Sequence, residues 1–118
     1  MEKGSGERRG QGWMKSVYVA GPYSGAEDVN VLRAAEVAAD YIKRGWIVFC
    51  PHTHSNIIDR KFNKDKLITY EDWLILDLYW LSRCDAIHMV SGWRLSKGAS
   101  LEYLVAQALG KEIRGDAE

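Results

Sequence analysis

The period of hydrophobic and polar positions changes several times along the chain, and each change marks an element. Ser16-Val17-Tyr18-Val19-Ala20 is an apolar run closed by Gly21-Pro22, the pattern of a strand buried on both faces in a parallel sheet. Over residues 28–44, Val31, Leu32, Ala35, Ala38, Ala39 and Ile42 recur at helical spacing, and Gly45 stands where such a helix stops. Trp46-Ile47-Val48-Phe49-Cys50, ended by Pro51, reads as a second buried strand, and Asp85-Ala86-Ile87-His88-Met89-Val90 as a third. Between those two strands, Thr69 and Asp72 make a capping pair ahead of a run, 73–81, that is apolar everywhere except at Asp77. A last helix shows Leu101, Leu104, Val105, Ala108 and Leu109 at i, i+3, i+4, i+7 and i+8, with Gly110 as its stop. Glu112-Ile113-Arg114 adds a short polar edge strand. The stretch 51–66 has little regular pattern and reads as a long loop, of a kind that often covers a site.

Strands that alternate with helices predict a flavodoxin-like three-layer α/β sandwich with a parallel sheet of four or five strands, in the order about 2-1-3-4 once right-handed crossovers are required. In such sheets the ligand crevice opens beyond the carboxyl ends of the strands where the winding reverses, here between the first and third strands. Two loops follow those strands: Gly21-Pro22-Tyr23-Ser24-Gly25, and the segment 91–98, which contains Ser96, Lys97 and Gly98. The topology therefore predicts that both loops border one site.

Composition narrows the picture. The chain has 118 residues, 47% of them hydrophobic, and a formal net charge of zero, which suits one domain over 14–118 with a single core. Residues 1–13 are rich in Gly, Lys, Arg and Glu without periodicity and are expected to form a disordered leader. Balanced charge argues against binding nucleic acid or a membrane surface by bulk electrostatics. No apolar run approaches the roughly 20 residues of a transmembrane helix, and the N-terminus lacks a signal-peptide core, so a cytoplasmic protein is expected. Cys50 and Cys84 lie at strand ends and read as small buried thiols rather than a disulfide or metal pair. No cofactor or metal is expected.

Two carboxylates stand out. Glu102 is read in the first turn of the last helix, off its apolar stripe, where the positive helix end would lower its pKa and keep it anionic, as a nucleophile must be. Complementing the helix dipole is the plainer alternative. Asp77 falls on the stripe of Tyr70, Leu74, Leu78 and Leu81. An isolated carboxylate on a buried stripe is costly unless partnered, so it has either a catalytic task or a structural hydrogen-bonding one. A helix apolar nearly all round also implies burial on two sides, against its own sheet and against a second subunit. A homodimer or higher homo-oligomer is expected.

With these residues in hand, three segments carry a resemblance. Tyr18-Val19-Ala20-Gly21-Pro22-Tyr23, Asp77-Leu78-Tyr79-Trp80-Leu81-Ser82-Arg83-Cys84-Asp85-Ala86 and Ser96-Lys97-Gly98-Ala99-Ser100-Leu101-Glu102 together resemble the nucleoside 2-deoxyribosyltransferase-like superfamily, which includes nucleoside 2-deoxyribosyltransferases and 2'-deoxynucleoside 5'-monophosphate N-hydrolases. The likeness spans about residues 15–113. It implies that Glu102 attacks C1' of a 2-deoxyribosyl group and holds it covalently, that Asp77 acts near the leaving base, and that Tyr18 orients the nucleophile. Water then releases the sugar in a hydrolase, or a second base accepts it in a transferase. Ser96 matches the small hydroxyl residue of the monophosphate hydrolases, where transferases tend to carry Asp, and near a helix N-terminus a hydroxyl suits a phosphate. The first loop, by contrast, lacks the Arg of those hydrolases.

The expected substrate contacts are Gly21, Pro22, Tyr23, Ser96, Lys97 and Gly98 from the two loops, together with His54 and Trp93. His52 and His54 either bond to or stack on the base or serve loop structure, and they lack further ligands for a metal. Trp93 is either a stacking lid or a hydrophobic plug beside the cleft. Beside the glycosyl-transfer reading stands a non-catalytic nucleotide-sensing module on the same fold, since fold alone does not fix chemistry.

Overall fold

A computed structural model describes residues 14–117, so the expected leader at 1–13 lies outside the described residues. The element order is β1 (Ser16–Ala20), α1 (Glu27–Lys43), β2 (Ile47–Phe49), α2 (Pro51–Phe62), α3 (Tyr70–Arg83), β3 (Ala86–Met89), a 3-10 turn (Trp93–Leu95), α4 (Lys97–Ala108) and β4 (Glu112–Gly115). The four strands are parallel in the order β2-β1-β3-β4, which is the three-layer flavodoxin-like arrangement that the alternating pattern predicts. Glu112–Gly115 is the polar edge strand, paired to β3 alone.

The strand period of two sorts β1 between the layers. Tyr18 and Ala20 join Leu81, Ile87, Met89, Ala99 and Ala106 in a core under α3 and α4. Val17 and Val19 face the α1 side, where Ala34, Ala38 and Tyr41 are buried. Both cysteines are free and buried. Among the described residues, no helix is long and apolar enough to cross a membrane.

Three expectations need correction. The stretch 51–66 is not a loop over most of its length, because Pro51 opens the helix α2, which runs to Phe62. A proline at the first helical position costs no hydrogen bond, and its fixed φ suits the helix; the weak apolar period of this exposed helix hid it. Second, the large apolar residues of α1 and α4 do not mark their buried faces. Leu32, Ile42, Leu104 and Leu109 are exposed, while Ala34 and Ala38, and Ala99, Glu102 and Ala106, face the sheet. Small side chains let a helix lie close on a strand, so alanine occupies the contact and leucine turns outward. Third, β2 is an edge strand rather than a fully buried one, and Ile47 is exposed.

Candidate active site

Gly21 follows β1 and Val90 follows β3, and the two segments run so close that a Cβ on Gly21 would sit 2.7 Å from the Val90 Cβ. A Cβ on Gly92 would lie 3.5 Å from the Pro22 ring. The loops after β1 and β3 are therefore neighbours, as the switch-point geometry requires.

Beneath them lies Tyr18, fully buried in β1, whose hydroxyl donates to Glu102 Oε2 at 2.5 Å. Glu102 is only 9% exposed. Asp77, half-buried on α3, has one carboxyl oxygen, Oδ1, with no partner among the described residues. Its charge reaches both Tyr18 and Glu102. Three elements thus bring a phenol and two carboxyls within electrostatic reach of one another, the three residues to which the resemblance gives roles.

The electrostatics differ from expectation. Glu102 is the sixth residue of α4, a turn beyond the helix end. Burial raises it from 4.5 to about 8, with the Tyr18 bond lowering it and Asp77 raising it. A helix end contributes roughly 0.3–1 kcal/mol, whereas a shift of this size corresponds to about 5 kcal/mol against the charged form; desolvation wins. Asp77 is raised by burial from 3.8 to about 6. Tyr18 is held protonated, its pKa pushed up first by burial and then by the two carboxyls. Near neutral pH the two carboxyls therefore hold one proton between them.

An aromatic stack backs the pair. Phe49 sits opposite Tyr18 in the β1–β2 register, and the rings stack at 5.7 Å. Trp80, one helical turn past Asp77 on α3, also stacks on Phe49, at 5.0 Å and 13°. Phe49 and Trp80 escaped the sequence reading, although Trp80 stands at i+3 from Asp77 and thus beside it on one helix face. His54 lies against Phe49 at 5.3 Å.

The remaining expected residues divide by position. Ser96 caps α4, its hydroxyl accepting from Ala99 N–H at 3.1 Å. Lys97 and Gly98 follow as the first helical residues, whose amides have no intrahelical acceptor, and a Cβ on Gly98 would meet nothing within 4 Å. Pro22 and Tyr23 are half-buried and tied to α2: the Pro22 carbonyl lies 2.8 Å from His52 Nε2, and the Tyr23 hydroxyl accepts from Asn56. Trp93 is the plug of its two alternatives. It is buried with its ring 4.6 Å from Tyr103, and the Arg94 guanidinium lies over it, so no open face is left for a base. Among the described residues no group of three or more His, Cys, Asp or Glu side chains is placed to hold a metal ion.

Fold and site together define a doubly wound α/β domain with a buried phenol–carboxyl pair below its switch point. Residues 15–114, from the start of β1 to the edge strand, match the family described as a domain of unknown function, DUF4406, and the chain belongs to that family. A comparison with curated proteins gives no match.

Proposed function

We propose that this protein cleaves the N-glycosidic bond of a 2'-deoxynucleoside or its 5'-monophosphate through a covalent glycosyl intermediate on Glu102, passing the sugar to water or to a second base. The observation that carries this reading is the 2.5 Å bond from the Tyr18 hydroxyl to Glu102 with Asp77 beside it. It joins, from three separate elements, the three residues to which the resemblance to the nucleoside 2-deoxyribosyltransferase-like superfamily gives roles.

In the first step the proton on Glu102 passes to Asp77, and the Glu102 carboxylate bonds to C1' as the C1'–N bond breaks and its electron pair leaves with the base. Asp77, when protonated, supplies the proton that the departing nitrogen takes up. In the second step water or an incoming base attacks C1', the bond to Glu102 breaks, and the attacking group's proton passes to Asp77. Tyr18 holds Oε2 throughout, so attack falls to the other oxygen. A second reading, a nucleotide-binding module without chemistry, is favoured by one feature: burial pushes the Glu102 carboxyl up to about 8, away from the ionised form that a nucleophile needs.

Incubation with a panel of deoxynucleosides and their 5'-monophosphates, followed by chromatography, separates the two. The enzyme releases free base and Glu102→Gln releases none while still binding the same compound; binding without release by the wild type identifies the module. Ser96→Asp adds a test of the phosphate. Asp caps a helix as well as Ser does, so the fold is kept while an anion is placed against the phosphate. kcat/KM is expected to fall for a monophosphate and to hold for its nucleoside, and equal losses for both would remove the phosphate from the reading.

A further inference from the structure

Helix α2 carries His52, His54 and Asn56 at i, i+2 and i+4. Positions i and i+4 share a helix face and i+2 lies on the opposite one, and the contacts follow that rule. His52 Nε2 lies 2.8 Å from the Pro22 carbonyl, and the His52 ring packs 5.8 Å from that of Tyr23. Asn56 donates to the Tyr23 hydroxyl at 2.8 Å. On the far side, His54 packs on Phe49, the ring that backs Tyr18. A segment little more than one turn long therefore touches both walls of the proposed crevice, the β1–α1 loop and the aromatic backing of the Tyr18–Glu102 pair.

His52 is the buried member of the three, 6% exposed. A carbonyl only accepts, so the proton lies on Nε2, and Nδ1, which has no partner among the described residues, is the unprotonated nitrogen. The loop it holds is otherwise anchored by the close approach of Gly21 to Val90 and by Asn30 of α1, which donates to the Tyr23 carbonyl at 3.1 Å. We infer that His52 is a positioning residue: by holding the Pro22 carbonyl it fixes the β1–α1 loop against α2, and so sets the position of one wall of the crevice without touching the reacting atoms. The kinetic part of this inference rests on the glycosidase reading; the clamp itself does not.

The test compares His52→Ala, His52→Gln and Asn56→Ala in the full chain. A Gln side-chain amide can donate to the Pro22 carbonyl as the imidazole does. With the best compound of the panel, His52→Ala is expected to raise KM about tenfold, the scale of one lost hydrogen bond, with kcat and both limbs of the pH profile kept. His52→Gln recovers most of the loss, and Asn56→Ala shifts KM the same way by less. Hydrogen–deuterium exchange over residues 21–26 speeds up in the two alanine variants and stays near wild type in His52→Gln. Unchanged KM and unchanged exchange overturn the inference, as does a loss confined to kcat with displaced limbs, which would make His52 part of the reacting machinery. If His52→Ala does not fold, His52→Gln and Asn56→Ala decide by the same two readouts. If the wild type releases no base, the glycosidase reading falls, and the exchange comparison alone still decides whether His52 holds the loop.

Discussion

Two carboxyls that burial lifts to about 6 and about 8 make proton placement the controlling variable at Asp77 and Glu102. If Glu102 must be ionised to attack and Asp77 protonated to assist departure, kcat/KM is bell-shaped, with limbs near those two values and an optimum near neutrality. Asp77→Asn removes the proton donor and the charge that opposes Glu102, so a single ascending limb is expected, displaced below 8, with turnover reduced about a hundredfold or more. A pH series on both proteins checks this. The same burial has a stability cost. The folded pKa of Glu102 lies above its ordinary 4.5, so the folded state keeps a proton that the unfolded chain gives up, and stability falls as pH rises from about 4.5 through about 8. Glu102→Gln stays neutral and escapes that loss. It is expected to be the more stable protein by up to about 3 kcal/mol at pH 7, with the gap closing below pH 4.5, as thermal melts at pH 4 and pH 8 would show. Asp77 was legible in the sequence as an acid on an apolar stripe, whereas Glu102 was read off the stripe at the helix end, and its burial against the sheet emerged only with the fold. The roles of Phe49 and Trp80 were not legible, because they depend on neighbours across strands and layers that no local pattern encodes, while His52 takes the loop-serving one of its two alternatives.

The elements themselves were legible where a strong period or a turn signal marked them. Tyr70–Arg83 begins at the Thr69–Asp72 capping box, with both reciprocal bonds formed at 2.9 and 3.2 Å, and Ser16–Ala20 ends where Gly21-Pro22 says it should. The orientation of α1 and α4 was not legible, because periodicity reports a helix whichever face is buried, and here alanine rather than leucine meets the sheet. Gly21 shows how close the elements are driven. A methyl there would sit 2.7 Å from the Val90 Cβ, inside any real contact, so Gly21→Ala is expected to destabilise by about 1–3 kcal/mol. Val90→Ala keeps its own Cβ, so it is expected to recover only the share of that loss owed to the outer methyls. Denaturant midpoints of the two single variants and the double variant measure that share.

On the scale of the whole molecule, the outward leucines have a consequence for assembly. α3 and α4 lie side by side on one layer, and their outer surfaces present Ile75 at 68% and Leu104 at 60% exposure, with Tyr79 and Leu109 also exposed. Contiguous apolar patches of more than a few hundred Å² are uncommon on monomers, and a stable pair needs about 800 Å² from each partner. Two adjacent helices of 14 and 12 residues offer a surface of that order. The apolar run of α3 pointed to this surface in the sequence, whereas the outward face of α4 emerged only with the fold. A homodimer is therefore expected, with twice the 13.4 kDa chain mass in sedimentation at micromolar concentration. The double variant Ile75→Glu with Leu104→Glu places charges on that surface without entering the core, so it should keep the wild-type circular dichroism and sediment at the mass of one chain. A wild type that sediments as one chain, or a double variant that stays paired, would place Ile75 and Leu104 on ordinary solvent-facing surface and any subunit contact elsewhere.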